Sequence, residues 1–203
     1  MSSKKITNIA LLTALVIVLQ VLSSLGLLKI GQFSLALCFI PIMIGVVCFG
    51  FWTGLFLGFI FSTVVLIFGL TGLDGGFTLL LFQYKPFLTV FLIYLKGCLA
   101  PVVAYFVYKW ISKKSDRWGV YVSCGICPVV NTAIFCSMML LFYRSWLINF
   151  FGNENAVKIV FITIAGWNFV IEFLINVLIS PVIKVVKDLY AKLFGENKRL
   201  EDE

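Results

Sequence analysis

The fold is decided by the stretch GWNFVIEFLINVLISP, residues 166–181. It lies in an apolar segment long enough to span a bilayer, yet Asn168, Glu172 and Asn176 recur in it four residues apart. On a helix this spacing places the three side chains on one face. A carboxylate at the centre of a bilayer costs about 2.5–3.5 kcal/mol on insertion scales. The polar face therefore predicts contact with the protein interior or with a solute rather than with lipid.

The composition is typical of an integral membrane protein. Of the 203 residues, 62% are hydrophobic and 12% are charged, and the mean hydropathy is +1.09, unlike a soluble domain. The sequence has no glycine-rich phosphate loop and no histidine, which excludes Walker A nucleotide hydrolysis and Ser-His or Cys-His catalysis. It predicts one membrane domain over 1–203 with a frayed tail at 194–203. We predict no catalytic residue, metal site or cofactor.

Two of the six cysteines, Cys124 and Cys127, have the CxxC spacing of redox and metal sites. A zinc ion would lack further ligands, because the sequence has no second CxxC and no histidine. We interpret these residues as buried thiols that act as small apolar side chains. An intramembrane enzyme that uses Cys124 or Cys127 is an alternative hypothesis.

Six apolar spans are predicted, each a candidate to cross a hydrocarbon core of about 30 Å. They cover 6–25, two spans within 35–70 that break at 50–53, then 87–108, 120–143 and 157–181. The connections 23–34, 71–86 and 144–156 are predicted loops, and the apolar centre of the second, 77–82, is predicted to dip back toward the membrane. The fold class is therefore an all-α membrane protein with six transmembrane helices.

The basic residues are distributed unequally between the two faces of this arrangement. One face carries eleven, namely Lys4, Lys5, Lys109, Lys113, Lys114, Arg117, Lys184, Lys187, Lys192, Lys198 and Arg199. The other carries four, namely Lys29, Lys85, Arg144 and Lys158. Because cytoplasmic loops are enriched in Lys and Arg, both termini are predicted to be cytoplasmic.

Four polar groups fall at similar predicted depths inside the membrane: Lys96, Asn131, Asn168 and Glu172. At about 1.5 Å per residue, they lie about 15–22 Å from the outer ends of their spans. A few fixed polar groups within apolar walls are typical of small-molecule pockets. We therefore predict a solute-binding pocket that is open to the outside. Alternatively, these groups pair with one another, for instance Lys96 with Glu172, and fix helix packing.

Three further residues are candidates for solute contact, two at the predicted mouth of this pocket and Trp167 beside Asn168. Tyr84 and Lys85 offer a phenol and a cation before span 4, although interfacial tyrosine and snorkelling lysine explain both without a ligand. Trp167 is suited to stack on an aromatic solute or to pack against lipid.

Small residues indicate two helix contact surfaces. Gly50, Gly54 and Gly58 recur at helical spacing, and we expect them to pack inside the protein, because backbones approach closely where side chains are missing. Ala10 and Ala14 share a face of span 1 beside basic residues, which suits docking to another membrane protein.

Taken together, the chain resembles the substrate-binding S components of energy-coupling-factor (ECF) vitamin transporters. The resemblance is carried by its size and six spans, Ala10-x-x-x-Ala14, LCFIPI at 37–42 leading to Gly50, Gly54 and Gly58, KPFLT at 85–89 before Lys96-Gly97, and Asn131-Thr132. It covers nearly the whole chain.

The resemblance implies an S-component-like bundle in the plasma membrane of a prokaryote. Such a subunit captures a vitamin from outside and docks, through Ala10 and Ala14 here, onto a transmembrane coupling (T) protein that carries two cytosolic ATPases. It also implies that Asn131 and Asn168 bind the solute. Family members take different vitamins on nearly the same scaffold. Lys85 and Lys96 favour an anion such as pantothenate, with riboflavin next. The alternative function is an autonomous proton-coupled carrier or channel that uses Glu172.

Overall fold

The computed structural model describes residues 3–27, 29–30, 33–34, 37–152, 155–160 and 166–200. The helices are α1 (Ser3–Ser24), α2 (Phe39–Phe49), α3 (Phe51–Leu70), α4 (Phe77–Tyr84), α5 (Pro86–Ile111), α6 (Asp116–Phe142), α7 (Arg144–Phe151), α8 (Ala156–Lys158) and α9 (Gly166–Leu200). Two short strands, β1 (Lys29–Ile30) and β2 (Phe33–Ser34), pair antiparallel between α1 and α2.

Five of these helices, α1, α3, α5, α6 and α9, contain stretches long and apolar enough to cross a membrane. The sixth predicted span is α2, which has 11 residues and is therefore only about 17 Å long. Helices α1, α3, α5, α6 and α9 all pack against it. Because protein rather than lipid surrounds α2, it need not reach either membrane surface. The all-α membrane fold with six apolar helices is confirmed.

Gly50 separates α2 from α3 at the predicted break. Its φ of 89° and ψ of −165° lie in a region that is essentially restricted to glycine. The Gly50 N–H donates to the carbonyl of Val46 at 3.1 Å, and its own carbonyl accepts from the Gly54 N–H at 3.1 Å. A single residue thus ends one helix and begins the next.

The predicted internal packing of the glycines after this break is also confirmed. A Cβ atom added to Gly54 would lie 2.6 Å from Cγ2 of Val46 in α2. One added to Gly58 would overlap the carbonyl oxygen of Gly97 in α5 and lie 2.9 Å from Cγ of Pro101. Helix α3 therefore approaches α2 and α5 at distances that only glycine permits.

The buried apolar side chains form two clusters. The basic-end cluster lies toward the α5–α6 connection and includes Val16, Met43, Ala100, Ala104, Val120, Cys124, Cys127 and Ile183. The far-end cluster lies toward α4 and α7 and includes Leu81, Leu92, Cys136, Met139, Tyr143, Leu147 and Val160. We call the two ends of the bundle the basic end and the far end. The buried thiols among these residues pack as apolar groups.

The start predicted for the last span, at residue 157, stays a prediction. Helix α8 covers Ala156–Lys158 and is capped at its start by the Asn155 side chain, which accepts a hydrogen bond from the Lys158 N–H; the described part of α9 covers Gly166–Leu200. Residues 161–165 lie outside the described part of the chain. The depths of Asn168 and Glu172, which assume one helix from residue 157, stay predictions as well. Helix α9 also continues through Pro181 to Leu200.

The three predicted loops contain regular structure. The first contains the β1–β2 hairpin, and the second contains α4, which packs against α3 and α5. The third contains α7, which buries Leu147 completely and ends at Gly152 with φ 62°. Helix α6 begins four residues before the predicted span, at Asp116.

Candidate functional site

Lys96 lies between the two apolar clusters. On α5, Leu92 belongs to the far-end cluster and Ala100 to the basic-end cluster, one turn to either side of Lys96. The Lys96 ammonium lies 5.2 Å from the ring centroid of Phe135 in α6, a cation–π contact. We call the region between the two clusters the polar layer.

Asn131 lies in the polar layer on α6. Cys127, Asn131 and Phe135 are four residues apart and share one helix face. Cys127 lies near Glu172 of α9, and Phe135 contacts Lys96 of α5, so Asn131 lies between these two positions on α6. Its side chain is 8% exposed, and its Oδ1 has no hydrogen-bond partner among the described residues. An unsatisfied buried acceptor costs about 1–3 kcal/mol, so Oδ1 is available to a donor on a solute.

Glu172 supplies the acidic side chain of the polar layer. Its carboxylate interacts electrostatically with Lys96 of α5, but within the described part of the chain the two side chains form no contact ion pair. Cys38, which immediately precedes α2, lies near both side chains. The alternative of a direct Lys96–Glu172 pair is therefore present only as a longer-range attraction.

The polar face of α9 carries two amides besides Glu172, namely Asn168 and Asn176. Asn176 is fully buried, and its Nδ2 donates to the backbone carbonyl of Glu172 at 2.8 Å. Its Oδ1, like that of Asn131, has no hydrogen-bond partner among the described residues. Asn168 and Trp167 follow Gly166 in the first turn of α9, but their side chains lie outside the described residues. Their predicted contact with a solute stays a prediction.

Lys85 is bound to the protein at the far end. Its Nζ donates to the carbonyl of Phe142, at the end of α6, over 2.6 Å. The same ammonium lies 5.2 Å from the ring centroid of Tyr84 and 5.8 Å from that of Tyr143. The predicted mouth residues Tyr84 and Lys85 are thus brought together, in contacts that connect α4 and α5 to α6.

The far end is covered by aromatic residues, most of which are not among the predicted site residues. Trp146 of α7 stacks on Phe150 with ring centroids 4.8 Å apart and lies within 6.4 Å of the rings of Phe77 and Tyr84. The run of aromatic residues in 142–151 is the signal that indicates this cover. Its rings connect the short helices α4 and α7.

A small cavity of about 30 Å³ lies between this cover and the polar layer. Lys96 and Phe135 border it on one side, and Phe77, Thr78 and Leu81 of α4 border it on the other. That volume holds only a few water molecules. The cavity places the Lys96 side chain directly beneath α4.

The predicted docking residues lie on an exposed face of α1. Ala10 and Ala14 are both exposed, whereas Leu12 and Val16 are buried in the core. Leu11 and Leu15 flank the two alanines and are also exposed. The two alanines therefore make a shallow region between larger apolar side chains.

These features define a class: a multi-pass, all-α membrane protein with a polar layer between two apolar clusters. A sequence model of the family described as ECF transporter, substrate-specific component, matches residues 4–184. The chain therefore belongs to this family, and it is a substrate-specific subunit of a transporter. No curated protein and no solved structure matches it. Membership implies a membrane partner, ATPase partners and a small-molecule substrate.

Proposed function

We propose that this protein captures a water-soluble vitamin or related micronutrient outside the cell. The observation that carries the proposal is the buried, unpartnered Oδ1 of Asn131, which lies in the polar layer with Lys96 and Glu172. Because such an acceptor costs stability when no ligand is bound, its retention in the interior of a transporter subunit supports a binding role.

The proposed site extends from the polar layer to the far end. Within the layer the solute contacts four side chains, those of Asn131, Asn168, Lys96 and Glu172. Trp167 precedes Asn168 in the first turn of α9 and is a further candidate contact. Tyr84 and Lys85 act at the mouth, where the contact of Lys85 with the end of α6 supports a role in closing the site. Lys85 and Lys96 favour an anionic solute, with pantothenate first and riboflavin second.

Delivery depends on partners in this proposal. The exposed alanines of α1, Ala10 and Ala14, dock onto a transmembrane coupling protein, and two cytosolic ATPases supply the energy for release inward. Small residues at a helix surface allow close backbone approach in a membrane, which supports this assignment. The basic end, with exposed Lys109, Lys113, Lys114 and Arg117, is cytoplasmic by the positive-inside rule, in the plasma membrane of a prokaryote.

The decisive experiment identifies small molecules that copurify with the full chain by mass spectrometry. A panel of vitamins is then tested by thermal unfolding without nucleotide. A ligand at one hundred times its Kd stabilises the native state by about 2.7 kcal/mol, so one vitamin should raise Tm clearly. No stabilising vitamin and no copurifying solute would contradict the proposal. Transport into liposomes by this chain alone, abolished by Glu172→Gln, would favour the carrier alternative.

A further inference from the structure

A groove between α6 and α9 lies outside the site described above. It has a volume of about 460 Å³ and is lined by apolar side chains that include Trp118, Val122, Ile126, Val129, Phe173 and Val177. From Trp118 to Val129 the groove follows α6 over 12 residues, a rise of about 17 Å. This length is close to half of a hydrocarbon core of about 30 Å, the depth of one leaflet. We call it the α6–α9 groove.

A glycine brings the two helices close together in the groove. A Cβ atom on Gly125 would lie 3.2 Å from the Phe173 ring and 3.4 Å from Cγ2 of Val177, so the missing side chain allows α9 to pack closely against α6 there. Val122 and Val177 are each 37% exposed beside it. An apolar recess that faced the bilayer and stayed empty would lose dispersion contacts on one side, so an acyl chain is a suitable occupant.

Positive charge is concentrated where the groove reaches the basic end. Arg117 precedes Trp118, and Lys113 and Lys114 lie in the preceding connection; all three cations are exposed and have no carboxylate partner within the described residues. The nearby Asp116 is already bonded to Lys184 and Lys187 of α9. It is therefore not free to neutralise Arg117.

We propose that the α6–α9 groove binds an anionic phospholipid, with one acyl chain between the helices and the phosphate at Arg117, Lys113 and Lys114. Basic pockets between helices on the cytoplasmic side are suited to anionic headgroups, and Trp118, which is 61% exposed, is placed as an interfacial tryptophan. The one-leaflet length favours a lipid over a partner helix, which would run the full depth of the membrane. This inference does not depend on the vitamin-capture proposal.

The test is native mass spectrometry of the full chain in detergent with equal amounts of phosphatidylglycerol and phosphatidylcholine. Wild type should retain phosphatidylglycerol preferentially. The double variant Lys114→Gln/Arg117→Gln should lose this preference, and Val122→Trp, which fills the groove, should reduce retention of both lipids. Lys192→Gln removes another exposed cation at the basic end, and Leu141→Trp adds bulk to α6 at the far end; both controls should behave as wild type.

Equal retention of the two lipids by wild type would overturn the proposal. So would a loss of preference in Lys192→Gln as large as in the double variant, because that result indicates only diffuse attraction to negative charge. A second measurement avoids detergent: brominated phosphatidylglycerol in vesicles should quench a fluorescence component that disappears in Trp118→Phe. Brominated phosphatidylcholine should quench that component less, and equal quenching would also overturn the proposal.

Discussion

Gly58 of α3 lies directly against the backbone carbonyl of Gly97 in α5, with no room for a Cβ atom between them. Gly97 follows Lys96, so the same contact that joins the two helices also positions the cation of the polar layer. Ser62, one turn further along α3, donates to the carbonyls of Gly58 at 2.9 Å and Ile93 at 3.1 Å. The α3–α5 contact is therefore both tight and hydrogen-bonded.

Gly58→Ala should destabilise the protein. Alanine is favoured over glycine within a helix by about 1 kcal/mol, but overpacking against a backbone oxygen costs about 1–3 kcal/mol, and we expect the second effect to dominate. Thermal unfolding in detergent measures the change in Tm. Gly125→Ala is the matched control, because its neighbours are side chains that can shift. A Gly58→Ala protein with unchanged Tm would show that the helices separate easily.

Asn131→Ala should weaken vitamin binding without destabilising the ligand-free protein. Oδ1 of Asn131 has no partner to lose among the described residues, so Tm without ligand should stay near that of wild type. Loss of one hydrogen bond of about 1.4 kcal/mol lowers affinity about tenfold, which isothermal titration measures.

The control for Asn131 is Asn176→Ala, a second buried amide whose Oδ1 also lacks a partner among the described residues but whose Nδ2 is bonded to a backbone carbonyl of its own helix. It should leave the affinity close to that of wild type. Equal losses from the two variants would mean that Asn131 has no particular role in binding.

Lys96→Met and Glu172→Gln should show coupled effects on stability. Each single change leaves the other charge without its electrostatic partner, and breaking a buried pair is more destabilising than removing both members. The double variant should therefore have a higher Tm than the sum of the single effects predicts, as a double-mutant cycle measures. Strictly additive changes in Tm would indicate that the two charges act independently.

Ala14→Leu should separate docking from solute binding. Ala14 is exposed on α1, so a larger side chain there should leave both Tm and vitamin affinity unchanged while it prevents close approach of a partner helix. Copurification with the coupling protein and ATP-dependent uptake in proteoliposomes are the measurements. Ala133→Leu, the same change at an exposed position of α6, should retain both activities. Normal complex formation by Ala14→Leu would exclude this face as the docking surface.

Lys85→Met should lower Tm in the absence of ligand. The variant loses the hydrogen bond from Nζ to the Phe142 carbonyl, a net contribution of about 1 kcal/mol. Lys158→Met, at an exposed position, is the control and should have no effect. If Lys85→Met reduces only vitamin affinity and leaves Tm unchanged, Lys85 contacts the solute and its hydrogen bond to Phe142 does not stabilise the far end.

The sequence alone predicted those features of the fold and the site that depend on the chemistry of one residue type. Gly50 marked the boundary between α2 and α3 because no other residue adopts its conformation at low cost. Gly54 and Gly58 indicated internal packing, and Lys96 stood out as a charge within an apolar span. In each of these cases a property of the residue itself, either the missing side chain of glycine or the charge of lysine, indicates its structural role.

The elements that were missed depend on tertiary contacts. Helices α4 and α7 have eight residues each and are too short to be distinguished from loops by periodicity. The contact of Lys96 with Phe135 links positions 39 residues apart on different helices, and no local pattern reveals such a pairing.

The short central helix α2 has a consequence for the solute. Its first turn begins beside Cys38, which lies near both Lys96 and Glu172, and peptide dipoles give a helix N-terminus a partial positive charge of about half an elementary charge. This partial charge comes from backbone peptide groups, which do not titrate, so it does not change with pH. The charges of Lys96 and Glu172 oppose each other, whereas the contribution of α2 persists at every pH and would stabilise a negatively charged group beside Cys38.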